Sequence, residues 1–360
     1  MEVAVNTIYH VALLFIMMVP GVILKKTRLS PDGFGKGISN LVLYIAQPAL
    51  VFIAYLRPYD EKILINAACV LVFSAISHII FAVVATNLFK KAPDARRRML
   101  RFATIFSNSA FMGIPLISVV LDREGMFPGA TVYASIYNIT FNIFLWSLGV
   151  KICTDDRDVN ANGIDDYDEH KDLAKKTAHR KGASPLKALY HPVTIAAAFG
   201  LAFFLLQNII PGLKSFIPSV VNEQINDPIS IANCVPRILT EAFTMLKGLV
   251  APLSMVVIGL RLADMKFDGM LKDKYMYLFL ALRHVILPLA VIGVAKLSGL
   301  FLPIDPVVGM VCVILAATPA ATSATMFAEM YDCDADYVSR LVAVSTLLSI
   351  LTMPVILLLM

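Results

Sequence analysis

Ser107, Asn108 and Ser109, followed by Gly113 and Pro115, form a polar, proline-broken stretch inside an apolar run. Thr318, Pro319, Thr322 and Ser323 form a second one near the other end of the chain. Hydroxyls and a carboxamide are neutral hydrogen-bond partners, suited to holding a solute rather than to making or breaking bonds. Proline removes a backbone donor and clashes with the turn before it, which frees carbonyls nearby. Freed backbone is costly in hydrocarbon and persists only where it lines a cavity or is buried in protein. If the two segments cross at Pro115 and Pro319, four half-helix ends meet. Their N-termini carry unpaired N–H groups and partial positive charge, which suits a carboxylate. Two such breaks at matching places in two halves of a chain point to the binding site of a secondary transporter.

Other polar residues are candidates beside them. Asn138 and Asn142 lie one helical turn apart and share a face. They fit a solute pathway or helix-to-helix adhesion equally. Arg283 and His284 are ionisable groups within an apolar run, where such groups are functional candidates by default. Arg283 either balances a bound anion or carboxylate, or reaches toward the membrane surface. His10 and His78 fit packed core positions, and Glu241, Lys247 and Glu329 fall near the ends of apolar runs. No carboxylate pair suggests a proton relay, so the coupling ion, proton or sodium, is not legible. No metal-binding histidine pair or nucleophile–base spacing points to an enzyme. Five scattered cysteines give neither a disulfide framework nor a zinc site, and no cofactor is implied.

These residues need a membrane fold to position them. Hydrophobic residues make up 58% of the 360-residue chain and charged residues 16%, with a mean hydropathy of +0.75. That balance excludes an ordinary soluble domain. Ten apolar segments of spanning length fall near 6–24, 38–56, 63–89, 99–121, 129–151, 187–208, 237–263, 275–297, 306–330 and 335–359. The first ends at Lys25 and Lys26 without a small-residue cleavage site, so it is expected to span rather than to be a removed leader. The expected fold is an all-α polytopic membrane protein of ten helices, with broken, crossing helices four and nine. Residues 1–151 form one five-helix repeat, 152–186 a polar linker and 187–360 the second repeat.

Charge sets the orientation. Twenty-three Lys and Arg residues fall in the odd-numbered loops and linker, against five in the even-numbered loops. The positive-inside rule then puts the odd loops and the linker in the cytoplasm and both termini outside. Five spans per half means that the halves are inverted relative to one another. The net charge of +5 reflects these cytoplasmic loops and implies no nucleic-acid partner. A sensor docking a partner through the linker is the alternative from another class.

The stretch Ser107-Asn108-Ser109-Ala110-Phe111-Met112-Gly113-Ile114-Pro115-Leu116 resembles the fourth-span motif of the auxin efflux carrier family. That family includes the plant PIN-FORMED carriers and many bacterial transporters. Tyr137 to Ile143 with Trp146 to Val150 is similar to the fifth span of bacterial members. Ala317-Thr318-Pro319 with Phe327 to Tyr331 is similar to their ninth. Leu43-Tyr44, Pro48-Ala49-Leu50 and Ala251-Pro252-Leu253 fit as well. The resemblance implies a scaffold part and a transport part, a homodimer through the scaffold, and movement of a small organic anion across the cell membrane. It makes Asn108 the substrate-contacting asparagine and Pro115 and Pro319 the crossover prolines. Ala320 and Ala324 replace a glutamine and a proline of the plant pattern, which points away from an auxin pocket. A bacterial-type member moving a dicarboxylate such as malate is implied, with sodium-coupled uptake, as in the related bile-acid carriers, as the alternative.

Overall fold

A computed structural model describes residues 9, 11–122, 127, 129–154, 190–210, 212–213, 231–263, 273–301, 304–331 and 333–359. His10 and the linker beyond Thr154 lie outside them. Among the described residues the fold is helical throughout, without strands.

We number the helices α1 (Val19–Lys26), α2 (Phe34–Tyr55), α3 (Glu61–Leu88), α4 (Asp94–Ile105), α5 (Ser109–Asp122) and α6 (Ala130–Thr154). There follow α7 (Pro192–Leu206), α8 (Cys234–Ala263), α9 (Lys274–Gly299), α10 (Pro306–Ala317), α11 (Ser323–Met330) and α12 (Ala335–Leu358). Six of these, α2, α3, α6, α8, α9 and α12, are long and apolar enough to cross a membrane. The sequence suggests ten segments of that length. The first expected span, 6–24, runs into residues outside those described, and the other three differences have local causes. The fourth and ninth expected spans are each cut in two at their polar stretches, giving α4/α5 and α10/α11. Helix α7 has 15 residues, about 22 Å of rise, because Pro192 starts it late.

Proline also shapes the intact helices. Wide, π-type turns at Val42–Ala46, Ser109–Gly113 and Leu282–Ile286 each stand just upstream of a proline, Pro48, Pro115 or Pro288. The proline ring displaces the preceding carbonyls, and the helix absorbs the misfit as an extra residue in the turn.

The packing is reciprocal. Helix α1 packs on α8 as α7 packs on α2, and α3 on α6 as α9 on α12. Likewise α3 packs on α10 as α9 on α4, and α6 on α10 as α12 on α4. Two groups result: α1, α2, α7 and α8 form one, and the remaining helices the other. In the first group, Gly21 and Gly259 bring backbones into contact. A Cβ on Gly21 would overlap Val256 O, and one on Gly259 would overlap Met18 O. Close approach through small residues drives helix pairing where lipid supplies no hydrophobic force.

Candidate functional site at the helix crossover

The two broken segments meet. Ser107 and Ala320 pair as a short antiparallel bridge, in which Asn108 N donates to Pro319 O (2.8 Å) and Ala321 N to Phe106 O (2.9 Å). Each break thus satisfies backbone groups that the other leaves unpaired. Gly113 permits the approach, because a Cβ there would run into Leu315 Cδ2 and lie 3.4 Å from Thr318 Cγ2. The seam is sealed on one side by rings from both segments. Phe102 packs on Phe106 (4.7 Å between centroids) and on Phe327 (5.1 Å), which also meets Trp146 (5.3 Å).

Arg283 holds the crossover from α9. It is fully buried, so it does not reach the membrane surface. Its Nε and Nη2 donate to Thr318 O (3.1 and 2.8 Å), and Nη1 donates to Thr104 O (2.9 Å). One guanidinium therefore caps the carbonyl ends of both α4 and α10. Phe81 lies under it, 5.8 Å from the guanidinium carbon to the ring centroid. A lysine ammonium lacks the planar fork needed to serve two carbonyls in this way.

His284, the next residue, supports the second break. Ala320 N donates to Ser345 Oγ (3.0 Å), which also lies 2.9 Å from His284 Nε2. His284 Nδ1 lies 3.0 Å from Thr352 Oγ1, which donates to Leu348 O (3.2 Å). His78 is buried among Phe106, Tyr137, Phe141 and Phe144, with Nδ1 2.7 Å from Ser74 O.

The remaining polar residues fall into two sets. Ser109 Oγ donates to Asn138 Oδ1 (3.2 Å), which ties α5 to α6. Thr318 Oγ1 turns back to Leu315 O (2.8 Å), while Thr322 and Ser323 open α11. Asn142 is buried one turn further along α6, outside this set of contacts. Asn108 Nδ2 and Ser323 Oγ, in contrast, are buried without a hydrogen-bond partner. Unsatisfied buried donors are costly, and a polar solute at the crossover would satisfy them. Pro115 lies in the first turns of α5, fully enclosed.

Gln47, which the sequence marks only as the residue before a proline, also belongs here. It is buried in α2, and its Nε2 donates to Ala110 O (2.6 Å) across to the first break. Its Oε1 is left unpartnered. The signal that could have found it is a carboxamide in the middle of an apolar span.

A family model described as "Membrane transport protein" matches residues 7–357. The chain belongs to the auxin efflux carrier family. A comparison with curated proteins found no match. Membership makes the chain a multi-pass membrane transporter. The crossover thus combines irregular backbone enclosed by protein with buried polar atoms, Asn108 Nδ2 and Ser323 Oγ, that have no partner.

Proposed function

We propose that this transporter moves a small organic anion, a carboxylate or a dicarboxylate such as malate, by alternating access around the crossover. The observation that carries the reading is the Ser107–Ala320 bridge, which joins two broken helices and leaves Asn108 Nδ2 and Ser323 Oγ free for a solute. The first turns of α5 and α11 add backbone N–H groups without intrahelical acceptors, and these favour a negative ligand. The binding residues are Ser107, Asn108, Ser109, Pro115, Thr318, Pro319, Thr322 and Ser323, with Asn138 and Asn142 on the flanking helix. Arg283 contributes positive potential while its donors hold the two carbonyl ends.

The reciprocal packing supports an inverted repeat. With each interrupted pair counted as one segment, the helices make ten spans in two halves of five, 1–151 and 187–360, joined by the 152–186 linker. On the distribution of Lys and Arg, both termini lie outside the cell membrane and the linker lies in the cytoplasm. The group containing the crossover moves against α1, α2, α7 and α8, and those four helices serve as the scaffold of a homodimer.

The test is flux into proteoliposomes containing purified protein, offered a panel of labelled mono- and dicarboxylates under proton and sodium gradients. At least one carboxylate is expected to accumulate above protein-free vesicles. No flux of any carboxylate under any gradient would overturn the reading.

A further inference from the structure

The same reciprocal packing relates two arginines. Arg57 follows α2, the second helix of the first half, and Arg261 stands near the end of α8, the second helix of the other half. Two carboxylates are related in the same way. Asp122 ends α5, and Glu329 stands near the end of α11. Each arginine belongs to the four-helix group, and each carboxylate to the end of a crossing helix.

The two pairs are in different states. Arg57 Nη2 lies 3.6 Å from Asp122 Oδ1, whose side chain is 12% exposed and which also accepts from Gly129 N (2.9 Å). At the other pair, Arg261 Nη1 donates to Thr322 O (3.1 Å), at the start of the helix that carries Glu329 near its end. Arg261 there lines a narrow cleft with Ile258, Thr322, Val342 and Thr346. Thr322 opens α11, so Arg261 is tied to the start of the second crossing helix. One cation is paired with a carboxylate, while its counterpart is paired with a backbone carbonyl.

A guanidinium binds carboxylates strongly when the contact is short and bidentate. The Arg57–Asp122 contact is a single long one, which an incoming carboxylate can replace. We propose that Arg57 and Arg261 are docking sites for the transported carboxylate at the two mouths of the pathway. Asp122 and Glu329 cover them in alternation as the crossing helices move. This inference rests on the organic-anion reading above.

The experiment measures KM for a carboxylate that the wild-type protein carries, separately for flux from each face of sided proteoliposomes. Arg57→Gln is expected to raise KM about tenfold from the face that bears it, the scale of one charge-assisted hydrogen bond, with little change from the other face. Asp122→Asn is expected to lower that same KM severalfold, because the cation is no longer covered. Arg261→Gln and Glu329→Gln should do the same from the opposite face. Should Arg57→Gln fail to fold, Arg57→Lys retains the charge but not the bidentate fork, and is expected to raise KM severalfold from that same face only. If the arginine and carboxylate variants shift KM in the same direction, the pairs are only latches and the proposal is overturned. Equal shifts from both faces overturn it too. A wild-type protein that moves no carboxylate defeats the organic-anion reading itself, a distinguishable result.

Discussion

A methyl group added at Gly113 probes the crossover directly. The new Cβ would lie inside van der Waals contact with Leu315 Cδ2, so that side chain must retreat by about an ångström to regain normal separation. Leu315 is fully buried in α10, with little room to yield. Gly113→Ala should therefore destabilise by about 1–3 kcal/mol, the usual cost of overpacking. Leu315→Ala alone opens a cavity and should cost about 2–5 kcal/mol. Together the two changes compensate, since the added methyl occupies space that leucine vacated. The double variant should be more stable than the sum of the singles by about 1–3 kcal/mol. Thermal unfolding of the purified protein in detergent reads all four corners of this cycle. Additive losses, with no coupling, would show that Gly113 and Leu315 do not touch, and would refute the packing of one break on the other.

Other outcomes follow from single contacts. Arg283→Lys leaves either Thr104 O or Thr318 O without its donor and should cost about 1–3 kcal/mol, seen as a lower unfolding temperature; wild-type stability would mean that the fork is dispensable. Ser345→Ala strips the acceptor from Ala320 N and the hydroxyl partner from His284 Nε2, with a loss of the same order by the same measurement. Gly259→Leu drives a side chain into the backbone at Met18, just before α1, and should prevent accumulation of folded protein, scored by size-exclusion of the detergent extract. Recovery of a sharp wild-type peak would contradict that contact.

The breaks were legible in the sequence because membrane helices have so few excuses for polar, proline-bearing backbone. A run such as Ser107 to Pro115 violates the apolar pattern, and the violation itself marks the place. What faces a break was not legible. Arg283 reads as an anion partner or a surface-seeking cation, whereas its hydrogen-bond partners are carbonyls of residues 179 and 35 positions away. Backbone oxygens leave no signature in residue types. Gln47 was hidden for a related reason, since a polar residue before Pro48 looks like part of an ordinary kink until its amide is seen on Ala110 O. The Gly21–Gly259 contact joins two glycines that nothing in the sequence pairs. Helix length was overestimated at α7, where apolar residues continue but Pro192 sets the start. The wide turns before Pro48 and Pro288 could be expected as kinks, though not as the π-type turns that carry the proline misfit.

The central claim is that a carboxylate binds at the crossover through Asn108. Isothermal titration calorimetry of purified wild-type protein and Asn108→Ala, with the best-transported carboxylate, tests it most directly. Binding to the wild type is expected, with about tenfold or more weaker binding to the variant at an unchanged unfolding temperature. Equal affinity in the two proteins would remove Asn108, and the crossover with it, from the pathway.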